Sequence, residues 1–176
     1  RMVLIRSSNW LSVASSMPSI SSDTSLSISP GLYPTYGDRV INTGRITGNS
    51  SFPAALHMAE SSVTNSGAGF IGGIHGLAGT PLILNGATIA APDFSHPGIQ
   101  LDQGGGQVAN SGTGTITAFN NAGILSYGQT AIVNRGAIAA LGAGNGIQLG
   151  RLAPPPVPAL IGAIANYGTI SGIVGI

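Results

Sequence analysis

One short pattern of apolar and polar positions recurs along the chain. It consists of an aliphatic residue, Asn, a variable residue, Gly and then Ile, and its plainest copies are 41–46 (INTGRI), 132–138 (IVNRGAI) and 164–170 (IANYGTI). Looser copies lie at 63–71, 83–89 and 108–116. The marker asparagines are Asn42, Asn65, Asn85, Asn110, Asn134 and Asn166. Neighbouring markers are 23, 20, 25, 24 and 32 positions apart, and a repeat of this length predicts the coils of a β-solenoid.

Each repeat predicts three short strands. The first precedes the Asn, as in 107–109, the second follows the Gly, as in 115–117, and the third has a Gly-Ile-x-Leu pattern, as in 98–101 and 146–149. Small or polar residues flank each Ile, which is the alternation of a half-buried strand. The next inward Ile comes four residues after the Asn in four copies and six in two. Both numbers are even, so every copy turns the same face inward.

The corner between the first and second strands is predicted from its residue types. Asn tolerates left-handed backbone better than other side chains do, and Gly adopts it freely, so Asn-x-Gly between aliphatic residues predicts a turn. If the coils stack in register, the six asparagines meet at one corner. We expect their amide groups to form a hydrogen-bonded ladder along the stack, as Asn side chains do in stacked sheets.

The 176 residues predict one domain with two parts. Residues 39–176 are predicted to be a parallel β-helix of about six coils of 20–25 residues, with loops at 49–55, 91–97 and 151–158. Residues 1–38 lack the repeat and are rich in Ser, with short strands expected near 3–5, 10–13 and 26–28. This irregular segment is either a cap over the open end of the stack or an extension that pairs with a neighbouring subunit by strand addition.

Composition removes several classes of function. Only 6% of residues are charged, against about 25% in ordinary globular domains, and the net charge is +1. The six Arg residues are scattered, so no basic stripe indicates a nucleic-acid partner. There is no Cys, which excludes disulfides and thiolate metal sites. Gly, Asn, Ser and Gln interrupt every charge-free run, so we expect no membrane-spanning helix. The chain stops just as a new coil begins, as though cut from something longer.

Few residues offer reactive chemistry. Asp93 and His96 are three apart on a loop bounded by proline, and they fit an acid/base pair, two metal ligands or a solvated turn. The five acidic residues are spread along the chain, whereas hydrolysis or elimination needs several converging groups. We therefore expect a non-catalytic protein without cofactor or metal. A polysaccharide lyase or hydrolase on this fold would require Asp93, His96 and Asp102 to meet in one groove.

Three further motifs have simple structural interpretations. Residues 67–72 (GAGFIG) match G-x-G-x-x-G, but a dinucleotide site needs a helix next, and the following Gly-rich segment favours a solenoid corner. His57 and His75 both belong to the third strand type, so they can stack on adjacent coils, either as a pH-sensitive pair or as two outward imidazoles. Thr113, Thr115 and Thr117 form a row in one coil only, which is too little for a flat ice-binding face.

Several repeats resemble those of a known class of exported proteins. Residues 131–138, 146–150 and 163–172 are similar to repeats of bacterial autotransporter passenger domains and of two-partner-secreted exoproteins. The resemblance covers about 40–176. It implies a right-handed parallel β-helix, an extracellular location at the bacterial cell surface, and a function in adhesion or self-association. It carries over no catalytic residue.

These observations predict an extracellular structural or adhesive protein. End coils present unpaired strand edges, which are templates for another chain, so we expect self-association as a homo-oligomer or as an end-to-end surface filament. The alternative is an adhesin stalk that binds cell-surface ligands through loops 91–97 and 151–158. A lyase or hydrolase on the same fold is the third hypothesis.

Overall fold

The computed structural model of the protein describes residues 2–4, 19–22, 25–27, 33–34, 36–48, 54–91, 93–102, 104–150 and 162–173. In these ranges the chain forms twenty strands, numbered β1 to β20 in chain order, and no helix. The strands make three sheets, here called A, B and C, in which all pairs are parallel.

The order of strands along each sheet follows the chain. Sheet A consists of β1 Met2–Leu4, β2 Ser19–Ser22, β4 Arg39–Asn42, β7 Ser62–Asn65, β10 Leu82–Asn85, β13 Gly106–Asn110, β16 Thr130–Asn134 and β19 Ala163–Asn166. Sheet B consists of β3 Ser25–Ser27, β5 Arg45–Thr47, β8 Phe70–Ile71, β11 Thr88–Ala90, β14 Thr115–Ala118, β17 Ala137–Ala140 and β20 Thr169–Ser171. Sheet C consists of β6 Leu56–Ala59, β9 Ile74–Ala78, β12 Ile99–Leu101, β15 Ile124–Ser126 and β18 Ile147–Leu149.

The chain passes through sheets A, B and C in turn and then stacks the next coil on the last. This arrangement is a parallel β-solenoid and confirms the predicted all-β fold. Five complete sets of three strands lie between Arg39 and Leu149, and the sixth set has only β19 and β20 in the described residues. The complete coils are thus slightly fewer than the six expected. The right-handed winding stays a prediction.

The core is a set of aliphatic columns inside the three sheets. In sheet B, Ile71 pairs with Ile46 on one side and Ile89 on the other, and all three side chains are fully buried. Sheet C stacks Ile74, Ile99 and Ile124 in the same way. Both Asn-to-Ile spacings place the Ile inside, as the even count requires. Burying an aliphatic side chain contributes about 1.5–3 kcal/mol, so these columns are the main stabilising feature of the stack.

The Ser-rich N-terminal segment joins the same sheets. Strand β2 pairs with β4, with Ile20 opposite Val40, and β3 pairs with β5, with Leu26 opposite Ile46. The stack therefore extends into residues 1–38 and does not begin at 39. The strand expected near 10–13 and the loop 151–158 lie outside the described residues, and the cap and strand-donor roles stay predictions.

Membrane insertion through a helix has no support in the described ranges. None of their segments forms a helix with the length and apolar character that crossing a bilayer requires.

Candidate functional site

The six marker asparagines lie in one row at the corner between sheets A and B. Strand register places Asn42, Asn65 and Asn85 opposite one another, and the remaining three follow in the same line. The side-chain Nδ2 of each of the first five donates to the Oδ1 of the next asparagine at 2.8–2.9 Å. Five of the six side chains are at most 2% exposed, and Asn166, on the last described coil, is exposed.

The same amides also bond to the backbone that enters sheet B. Asn65 Nδ2 donates to the Thr88 carbonyl at 2.9 Å, and Asn110 Nδ2 donates to the Ala137 carbonyl at 3.2 Å. These asparagines thus connect their own coil to both the side chain and the main chain of the next one. The bonds give the buried amide N–H groups acceptors, as buried polar groups require.

The structure corrects the reason for the corner glycines. None of the six asparagines has a positive φ, and among their glycines Gly67, at +62°, is the one that does. Crowding explains two of the others: a Cβ on Gly136 would lie 2.1 Å from the Gly114 carbonyl oxygen, and one on Gly168 would lie 2.2 Å from the Gly136 carbonyl oxygen. At these two positions glycine is needed because the backbone of the preceding coil leaves no room for a side chain.

Residues 93–96, part of loop 91–97, form a largely exposed cluster at the corner between sheets B and C. Phe94 is 65% exposed and packs edge-to-face on Phe119 of the next coil, with ring centroids 4.5 Å apart. Asn121 Nδ2 donates to the Ser95 carbonyl at 2.7 Å, which fastens the loop to that coil. A loop that is fastened in this way and displays an aromatic ring is suited to recognition.

Asp93, Ser95 and His96 meet within this loop but cannot act as a catalytic triad. His96 Nδ1 lies 2.7 Å from Asp93 Oδ1, and the same nitrogen lies 3.2 Å from Ser95 Oγ. A relay needs the acid on one ring nitrogen and the nucleophile on the other. Burial raises the pKa of Asp93, but the hydrogen bonds from His96 and Ser95 outweigh it, and the net pKa is lowered. The three side chains form a local turn.

The two histidines of sheet C lie next to each other, as their shared strand type predicts. Tyr33 and Asp102 extend this row of side chains, and the strand types do not predict them. His57 pairs with His75 in register, with ring centroids 5.7 Å apart. Tyr33 stacks on His57 at 4.6 Å and leaves it 6% exposed, so His57 is not the exposed imidazole expected. His75 Nε2 lies 3.0 Å from Asp102 Oδ2, and Gln100 Nε2 donates to Asp102 Oδ1 at 3.1 Å.

The pKa of His57 is lowered, first by burial and then by the nearby His75, although a hydrogen bond with the Ala54 backbone opposes the shift. Asp102 belongs to this row, whereas Asp93 pairs with His96 in the loop cluster. The three groups that a lyase or hydrolase would need therefore belong to two separate pairs. Within the described ranges, no group of three His, Asp or Glu side chains has the arrangement of a metal site.

The G-x-G-x-x-G segment leads into a strand. Gly69 precedes β8 directly, and a Cβ on Gly69 would lie 2.3 Å from Asn65 Oδ1. The third glycine, Gly72, is packed against Thr47 of the previous coil. A solenoid corner thus accounts for this motif, and no helix N-terminus is there to hold a pyrophosphate.

In comparisons with protein-family models, with curated proteins and with solved structures, nothing matched this chain.

Proposed function

We propose that this chain is a non-catalytic structural protein of the bacterial cell surface, whose coil stacks self-associate end to end. The observation that carries the proposal is the stacking of one coil on the next. Neighbouring coils meet through parallel strand edges and through columns of apolar side chains, such as Ile116, Ile138 and Ile170 in sheet B.

Such a coil is suited to bind another one like it. Its strand edges offer unpaired backbone groups, and its columns offer apolar surface at the spacing of the stack. The low charge provides little repulsion between copies. If one end of the stack accepts the opposite end of a second copy, the contact is heterologous, and repetition gives a filament. The resemblance to autotransporter and two-partner-secreted repeats supports an extracellular location.

Substitutions on strands β19 and β20 test the contact. Ile170→Asp places a charge in the column and should reduce long particles in electron micrographs to single stacks. Ala165→Asp adds the same charge on strand β19, on the outward face between the core residue Ile164 and Asn166, and should leave them long. Single stacks of the unaltered protein at every concentration would defeat the proposal, as would equal effects of the two substitutions.

The second candidate function is a stalk that binds cell-surface ligands through loops 91–97 and 151–158. The first of these loops favours it, because Phe94 is displayed on Phe119 and the loop is fastened by Asn121. Replacing Phe94 by Ser should lower cell binding while filament length is kept. Unchanged cell binding by Phe94→Ser and by a chain with 151–158 shortened would exclude both loops.

A further inference from the structure

A groove lined by four successive coils lies at the corner between sheets A and B, on the outer side of the asparagine ladder. It has a volume of about 320 Å³, within the range of small-molecule sites. One wall is an outward row of sheet A in which Leu84 stands between Thr64 and Ala109. The other wall is the row of residues that directly follow the asparagines.

The sequence explains why the groove is at this place. The residue after each ladder asparagine donates its N–H to the asparagine carbonyl one coil earlier, so Ser66, Gly86, Ser111 and Arg135 occupy equivalent corner positions. In the third repeat Gly86 occupies the variable position after Asn85, and Ala87 occupies the usual position of the glycine. Gly86 therefore leaves a notch between two serines, roughly 10 Å apart at two strand spacings.

The polar groups around the notch include one cation. Arg135 lies at one end of the groove, and its guanidinium is held over the ring of Tyr167, 5.2 Å from the centroid. In the described part of the chain, Arg135 has no carboxylate partner, and no side-chain hydrogen bond is made by the hydroxyl of Ser66 or Ser111. No acidic residue lines the groove. The remaining wall is mainly apolar.

We propose that this groove binds a carboxylate-bearing saccharide, such as a uronate unit of an acidic polysaccharide. The planar guanidinium of Arg135 pairs with the carboxylate through two parallel N–H donors. Ser66 and Ser111 bond to ring hydroxyls on either side of the notch. Leu84 and Ala109 pack against the apolar face of the ring. The site is distinct from self-association at the end of the stack and from loops 91–97 and 151–158.

Two pairs of variants test the site against matched controls. Gly86→Gln fills the notch. Its Cβ would lie 3.2 Å from the movable Ser111 Oγ and at an ordinary contact distance of 3.6 Å from the Asn65 carbonyl oxygen, so the fold should be kept. Gly112→Gln adds the same side chain one coil away, where the nearest atom is 3.9 Å from the new Cβ. Arg135→Gln removes the cation from the groove. Arg45→Gln removes an arginine stacked on Phe70 at 4.1 Å, outside the groove.

Binding of a galacturonate tetramer and a neutral galactose tetramer is measured by NMR shifts at low and high salt. The uronate should bind, and more weakly at high salt because the ion pair is screened. Gly86→Gln and Arg135→Gln should each weaken binding about tenfold or more, while the two controls bind as the unaltered protein does. Equal binding of the neutral tetramer, equal loss in the Arg45 variant or no uronate binding would overturn the proposal. Binding of a glutamate-rich peptide in place of the uronate would also overturn it.

Discussion

The side-chain amide of Asn85 donates a hydrogen bond of 2.8 Å to Asn110 on the next coil, and both side chains are at most 2% exposed. The two residues are 25 positions apart in sequence and one strand apart in space. Because the contact recurs between all neighbouring ladder positions from Asn42 to Asn166, it joins each coil to the next through a fixed register.

Removing one ladder amide should destabilise the stack strongly. Asn110→Ala deletes bonds to Asn85, Asn134 and the Ala137 carbonyl and leaves buried groups unsatisfied. We expect a loss of about 3 kcal/mol in the free energy of unfolding, measured by urea denaturation. Asn145→Ala, at a corner outside the ladder, should cost less than about 1 kcal/mol. Comparable losses for the two substitutions would show that the ladder is not a stabilising feature.

The aliphatic columns should tolerate truncation poorly. Ile116→Ala removes a fully buried side chain from the centre of sheet B and should cost about 2–5 kcal/mol. Thr117→Ala, on the same strand but facing outward, should stay within about 0.5 kcal/mol. Thermal unfolding followed by circular dichroism measures both. An equal effect of the two substitutions would contradict the inward assignment of Ile116.

Two corner glycines should respond differently to one added methyl group. Gly136→Ala would drive a Cβ against the Gly114 carbonyl oxygen and should destabilise by about 1–3 kcal/mol, because backbone must move. Gly112→Ala has open space, with its nearest neighbour at 3.9 Å, and should be close to neutral. If calorimetry finds equal melting temperatures for the two variants, crowding is not the reason for Gly136.

Acidification should weaken the N-terminal coils through His57. Its pKa in the folded protein is lowered, so below the unfolded value of about 6.5 the unfolded chain takes up a proton that the folded chain does not. Stability should therefore be constant well above this pH and fall as the pH drops below it, until the folded pKa is reached.

The variant His57→Phe isolates this effect. It keeps an aromatic ring under Tyr33 but cannot titrate, so the loss of stability between pH 7.5 and pH 5 should be smaller than in the unaltered protein. Amide hydrogen exchange at Ala59, which donates to the Pro34 carbonyl at 3.3 Å, reports on the same region. A larger loss in the variant than in the unaltered protein would reverse the predicted sign.

Much of the fold could be predicted from local pattern. The even spacing from Asn42 to Ile46 and from Asn65 to Ile71 predicts that both isoleucines face inward, and both side chains are fully buried. The role of Gly136 could not be predicted, because the atom that excludes a side chain there belongs to another coil. A sequence pattern reports backbone preference along one strand, whereas crowding depends on the neighbouring coil.

The histidine row shows a second limit of sequence reasoning. His57 and His75 share a strand type, and that signal was enough to predict their contact. Tyr33 and Asp102 have no repeat of their own, so their contacts with these histidines follow only from the lengths of the intervening loops. The notch at Gly86 did leave a sequence signal, since the third repeat has Gly in the variable position after Asn85.

The constant register makes each coil an exchangeable module. Strand β13 places Asn110 where Asn134 of β16 will follow, and the corner residues Ser111 and Arg135 make the same backbone hydrogen bond to the preceding coil. Excising residues 111–134 would join Asn110 to Arg135 without breaking any column. A gene for such a chain can therefore gain or lose single coils by unequal recombination. Such a change alters the length of the stack while its cross-section stays the same.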